Sequence, residues 1–179
     1  MTRSPFELAA GVAVLAVASV ALAQSAAPLP AEQWTPSARL SLAQACVAES
    51  GWDTAETREC AAIGHLLARR WAKLRPSRPR LSFGGLVRLY SSPLREGRRP
   101  WILRLRPNDR RPRGLTRARW ERLRPQWMQT LDFVDRWYAG EEPDPCPGSH
   151  HFGSRQDGAP RTWRRVTCSP AMRNLYWRI

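Results

Sequence analysis

Glu49 ends an apolar run, Ala45-Cys46-Val47-Ala48-Glu49-Ser50-Gly51-Trp52, and shares a helical face with Leu42 and Cys46 at i, i+4, i+7 spacing. A carboxyl set at the edge of an apolar wall suits a general acid, because burial disfavours the charged form and leaves a proton to donate near neutral pH. The alternative is a solvated glutamate at a helix end, and the shared apolar face argues against it. No second carboxylate stands at a persuasive spacing. Asp53 and Glu56 read as a capping pair for the next helix, Glu59 as solvated surface, and Asp144 as the best distant candidate, with a turn role as its competitor. Of the nine Trp and three Tyr in the chain, Trp52, Tyr90, Trp101 and Trp120 are candidates for stacking on a ligand, and core packing is the competing use of each. His150 and His151 stand side by side in a Pro/Gly-rich stretch. Their spacing and that of the cysteines match no zinc pattern, so no metal and no cofactor are expected.

The elements that must position these groups follow from periodicity. Thr35 and Pro36 open a helix to Glu49. Asp53 and Glu56 open a second, whose stripe Cys60, Ile63, Leu67, Trp71 is core and leaves His65 at the surface. Ser82 opens a short helix with Phe83, Leu86, Val87 and Tyr90 on one face. Residues 91–114, rich in Pro, Gly and Arg, predict a long functional loop around Trp101-Ile102-Leu103-Arg104-Leu105. Thr116 opens another helical stretch, and after Pro125 the spacing Trp127, Leu131, Val134, Tyr138 marks an amphipathic helix stopped by Gly140. A Pro/Gly/His loop follows, then extended pieces at Thr162–Cys168 and Asn174–Ile179. The expected fold is a mostly helical α+β domain with a small strand element.

Residues 1–23 read as a secretory signal, with Arg3, an apolar stretch from Leu8 to Leu22 and the small residues of Ala21-Leu22-Ala23 before Gln24. Cleavage is expected, with an uncleaved membrane anchor as the alternative. Residues 24–35 read as a tether and 36–179 as one domain. An even number of cysteines in an exported chain argues for two disulfides, with three possible connectivities; Cys46–Cys60 and Cys146–Cys168 are favoured. The formal net charge is +14, and the segment from Arg69 to Arg124 carries it, with 19 basic and three acidic residues. Such a segment attracts polyanions. Export and disulfides argue against nucleic acid as that polyanion, and a monomer is expected.

Two stretches carry a resemblance. Glu49-Ser50-Gly51-Trp52 with Ala55 resembles the Glu-Ser-Gly-aromatic motif of lysozyme-like lytic transglycosylases, whose glutamate is the catalytic acid. Ala62-Ile63 through Arg69-Arg70, then Trp137-Tyr138-Ala139-Gly140 and Pro143-Asp144-Pro145-Cys146-Pro147-Gly148-Ser149-His150-His151-Phe152, resemble the second helix and the ending of cell-wall hydrolases related to spore-cortex-lytic enzymes. The matches touch about a third of the mature chain in the expected order. The Gly-Leu-Met-Gln motif of typical transglycosylases is absent, and residues 76–124 match neither family. The resemblance implies a lysozyme-like domain with an insertion at about 76–114, periplasmic or secreted, cutting peptidoglycan glycan strands through Glu49, with Ser50 hydrogen-bonding the glutamate or the substrate's acetamido group and His150 and His151 in polar contact at the cleft wall. A noncatalytic wall-binding protein of the same fold, docked on anionic envelope polymers, is the competing expectation.

Overall fold

A computed structural model of the chain describes residues 28–50, 57–153, 159–168 and 174–178. Its helices are α1 (Pro36–Ser50), α2 (Thr57–Leu74), α3 (Phe83–Tyr90), α4 (Ser92–Arg95) and α5 (Arg117–Tyr138), with single 3-10 turns at Ala31–Gln33 and Ile102–Arg104. The strands are β1 (His151–Gly153), β2 (Arg164–Val166) and β3 (Leu175–Arg178). They form an antiparallel sheet in the order β1-β3-β2, with Phe152 opposite Tyr176 and Arg165 opposite Trp177. The domain is thus mostly helical α+β.

Helix α1 begins where the Thr35 hydroxyl accepts the Ala38 N–H at 3.1 Å. From Ser41 to Ala48 every residue is buried, so α1 is the central helix, packed between α3, α5, α2 and α4. Its many alanines let those neighbours approach on all sides. The Cys46–Cys60 disulfide ties α1 to α2, and Cys146–Cys168 ties the loop before β1 to the chain after β2. These are the favoured pairs, and each closes a short loop worth roughly 3 kcal/mol in the chain-entropy account.

Several expectations change. Residues 28–35 are packed on the domain instead of trailing as a tether: Leu29 is buried, Trp34 stacks on Tyr138 with ring centres 4.7 Å apart, and Gln33 Oε1 accepts the Phe83 N–H at 3.2 Å. The expected loop from Ser91 to Gly114 is held down by α4 and by the buried side chains of Leu94, Trp101, Ile102 and Leu105, while Arg98, Arg104, Arg106, Arg110, Arg111 and Arg113 face solvent. Its apolar residues, thinly spread among arginines, bury too much surface to leave the segment loose. Helix α5 runs through Pro125. The lost bond falls on the exposed side, where Glu121 and Pro125 face solvent, while Trp120, Leu123, Trp127, Leu131 and Val134 hold the helix to the core. It ends in a Schellman motif, with Gly140 at φ 79° and N–H bonds from Gly140 to Trp137 O and from Glu141 to Arg136 O, both 3.0 Å. Strand β1, expected as loop, is only three residues long and takes its order from β3.

Helices α2 and α5 meet at Gly64, where a Cβ would lie 2.7 Å from the Trp137 ring. Gly64→Ala is expected to lower the unfolding free energy by about 1–3 kcal/mol, because a packed indole has nowhere to move. Chemical denaturation measures it, and an unchanged midpoint would show that Trp137 repacks.

Candidate functional site

Glu49 lies one residue before the end of α1 and is half-buried. The Ser91 hydroxyl, itself buried, donates to Glu49 Oε1 at 2.7 Å. Ser91 sits at the junction of α3 and α4, where its N–H is fixed to Val87 O at 3.0 Å, so the hydroxyl comes from a rigid corner. On the other side, Asn174 Nδ2 donates to the Glu49 backbone carbonyl at 3.4 Å. The carboxyl is therefore held at the meeting point of α1, the α3–α4 corner and the start of β3. Holding an acid in one orientation is what proton delivery to a bound ligand requires.

The second carboxyl of this region is Glu59, which corrects the expectation of solvated surface. It is fully buried, and its Oε1 accepts the Asn174 N–H at 3.1 Å and the Tyr176 hydroxyl at 2.9 Å. Burial, and then the neighbouring Glu59 charge, push the Tyr176 hydroxyl far above its ordinary value, so it stays a donor. Asn174 joins the two glutamates, its backbone to one and its side chain to the other. The signal was available in the sequence: Glu59, Ile63 and Leu66 recur at i, i+4, i+7, the pattern that singled out Glu49.

Three of the expected contact residues come together in one cleft. Tyr90, His150 and His151, with Arg70, Lys73 and Leu74, line a space of about 120 Å3. The Arg70 guanidinium lies 3.8 Å over the Tyr90 ring, and its NH1 donates to His150 O at 3.0 Å and to His151 Nδ1 at 2.9 Å. That bond assigns the His151 proton to Nε2, and the ring stacks on Trp163 at 3.9 Å. Tyr90 of this cleft is followed directly in the chain by Ser91, whose hydroxyl holds Glu49. Burial, then the Arg69, Lys73 and Arg70 charges, lower His150, while burial and then Arg70 push His151 down to about 4.

The His151 shift has a testable sign. Unfolded, the imidazole titrates near 6.5; folded, at about 4. Between those values the unfolded chain binds a proton that the folded chain refuses, so His151's contribution to stability is full above 6.5 and declines as the pH falls toward 4. NMR of the ring protons is expected to give a midpoint about 4, rising in Arg70→Gln. A native midpoint near 6.5 would remove this account.

The other expected contact residues sit elsewhere. Trp101 and Trp120 are 7% and 6% exposed, so neither has a free face for a sugar; both are core residues. Asp144 pairs with Arg69 and accepts the Cys146 N–H at 2.9 Å, which makes it the staple of a turn. His65, expected at the surface, is half-buried, with Nε2 2.8 Å from Glu142 O. The side chain of Ser50, all of Trp52, and the Asp53 and Glu56 pair lie outside the described residues. Among the described residues no group of three His, Cys, Asp or Glu could hold a metal, and no helix is long and apolar enough to cross a membrane.

No family model, curated protein or solved structure matches the chain.

Proposed function

We propose that the chain is an exported, lysozyme-like enzyme that cuts the glycan strands of peptidoglycan with Glu49 as general acid. The observation that carries this reading is the placement of Glu49: a half-buried carboxyl at the end of the central helix, held by the hydroxyl of Ser91, whose chain neighbour Tyr90 lines a cleft with aromatic and cationic walls. The motif around Glu49 and the mostly helical α+β domain support the superfamily, and the two disulfides fit an oxidising compartment.

The carboxyl inventory favours one mode of cleavage. Ordinary glycosidases place a second carboxylate across the scissile bond. Among the described residues Glu59 is sealed in the core and Asp144 is committed to Arg69, so neither reaches a substrate from the opposite face. A lytic transglycosylase needs only one acid, because the substrate's own 6-hydroxyl attacks. Mass spectrometry of the fragments released from purified peptidoglycan tests the reading: anhydro ends support the transglycosylase, and reducing ends call for a water-activating group, sought first at Asp53 and Glu56. The exposed arginines of residues 98–113 support a second reading, a wall-binding protein of the same fold docked on anionic polymer. Binding to peptidoglycan without release of any fragment favours that one.

A further inference from the structure

Arg70 and Lys73 stand three residues apart on α2 and so leave the helix on one side, where both line the cleft with Leu74, Tyr90, His150 and His151. Among the described residues no carboxylate lines that cleft, and the neighbouring Asp144 is occupied by Arg69. Two cations without a counter-charge in a concave site attract an anion. Arg70 is preorganised for one: its NH1 is fixed by His150 O and His151 Nδ1, and Tyr90 supports the plane of its guanidinium. The wall also offers the Leu74 and Tyr90 side chains to carbon. At about 120 Å3 the space is well below the roughly 300 Å3 of a complete small-molecule pocket, so it accommodates a charged substituent and not a whole sugar chain.

The geometry points to a subsite for the carboxylate of an acidic glycan unit, gripped by Arg70 and Lys73 with its carbon skeleton against Tyr90 and Leu74, while Glu49 addresses the adjoining glycosidic bond. The identity of the ligand rests on the reading of the chain as a peptidoglycan-cleaving enzyme. In that polymer a carboxylate is carried by the peptide joined to the lactyl ether of muramic acid, or by the lactyl ether itself where that peptide has been removed. The subsite gives the chain a reason to prefer one register of the alternating strand, since every second sugar lacks the acid.

Binding is measured on the full oxidised protein through the His150 and His151 ring resonances, with N-acetylmuramic acid, muramoyl dipeptide, N-acetylglucosamine and inorganic phosphate as separate probes. One or both acids are expected to shift these signals saturably, and N-acetylglucosamine is not. N-acetylmuramic acid alone would assign the lactyl carboxylate, and the dipeptide alone the peptide's. Lys73→Gln, at an exposed position, is expected to weaken the acid's affinity about tenfold, as for loss of one charge-assisted hydrogen bond. Silence from both acids, unchanged affinity in Lys73→Gln, or phosphate binding more tightly than either acid would overturn the inference. The readout does not depend on turnover: a protein that binds the acids but cleaves nothing keeps the subsite and loses the enzyme reading, and one that cleaves while ignoring the acids does the reverse.

Discussion

Glu49→Gln is expected to lower glycan cleavage by roughly 10²–10⁴-fold while leaving the fold intact, the range for removal of a positioned general acid. The amide keeps an oxygen to accept the Ser91 hydroxyl, so the corner between α1 and the α3–α4 junction stays assembled and only the transferable proton is lost. Release of soluble fragments from peptidoglycan measures the rate, and a thermal melt of the same sample checks the fold. Ser91→Ala loosens the carboxyl without removing the proton, and a smaller loss, roughly tenfold, is expected from misorientation. Wild-type cleavage by Glu49→Gln would place the acid elsewhere.

Glu59→Ala is expected to cost roughly 2–6 kcal/mol of stability, because it strands two buried donors, the Tyr176 hydroxyl and the Asn174 N–H, at about 1–3 kcal/mol each. For a chain of this size that is a fall in Tm of roughly 5–20 °C. Glu59→Gln keeps an acceptor oxygen in the same place and is expected to be much milder. Asn174 also donates to the Glu49 carbonyl, so the Ala variant should lose cleavage out of proportion to its folded fraction at low temperature. A Glu59→Ala protein as stable as the native chain would mean that the Tyr176 and Asn174 donors find other acceptors.

Local pattern set much of this molecule in advance. The caps at Thr35, Ser82 and Thr116, the stop at Gly140 and the buried stripe from Cys60 to Trp71 are properties of neighbouring residues, satisfied within a few positions along the chain, and each appears where the sequence puts it. The same holds for the position of Glu49 at a helix end beside apolar neighbours. The two disulfide pairs were among three connectivities that the sequence left open, and the structure forms the favoured one.

What the sequence could not determine is where one element meets another. Trp101 and Trp120 are chemically fit to stack on a sugar, and only the packing of α5 and of the turn at Ile102–Arg104 against α1 puts them inside. Glu59 shares the helical spacing of Ile63 and Leu66, which put it on a core face, but its partners there, Asn174 and Tyr176, lie more than a hundred positions later. The cleft likewise needs α2, the end of α3 and β1 side by side before Arg70, Lys73, Tyr90 and the two histidines share one space. The physical reason is the same in each case: a residue's burial and charge environment are set by partners distant in sequence, and one-dimensional periodicity carries no information about which face will find which partner.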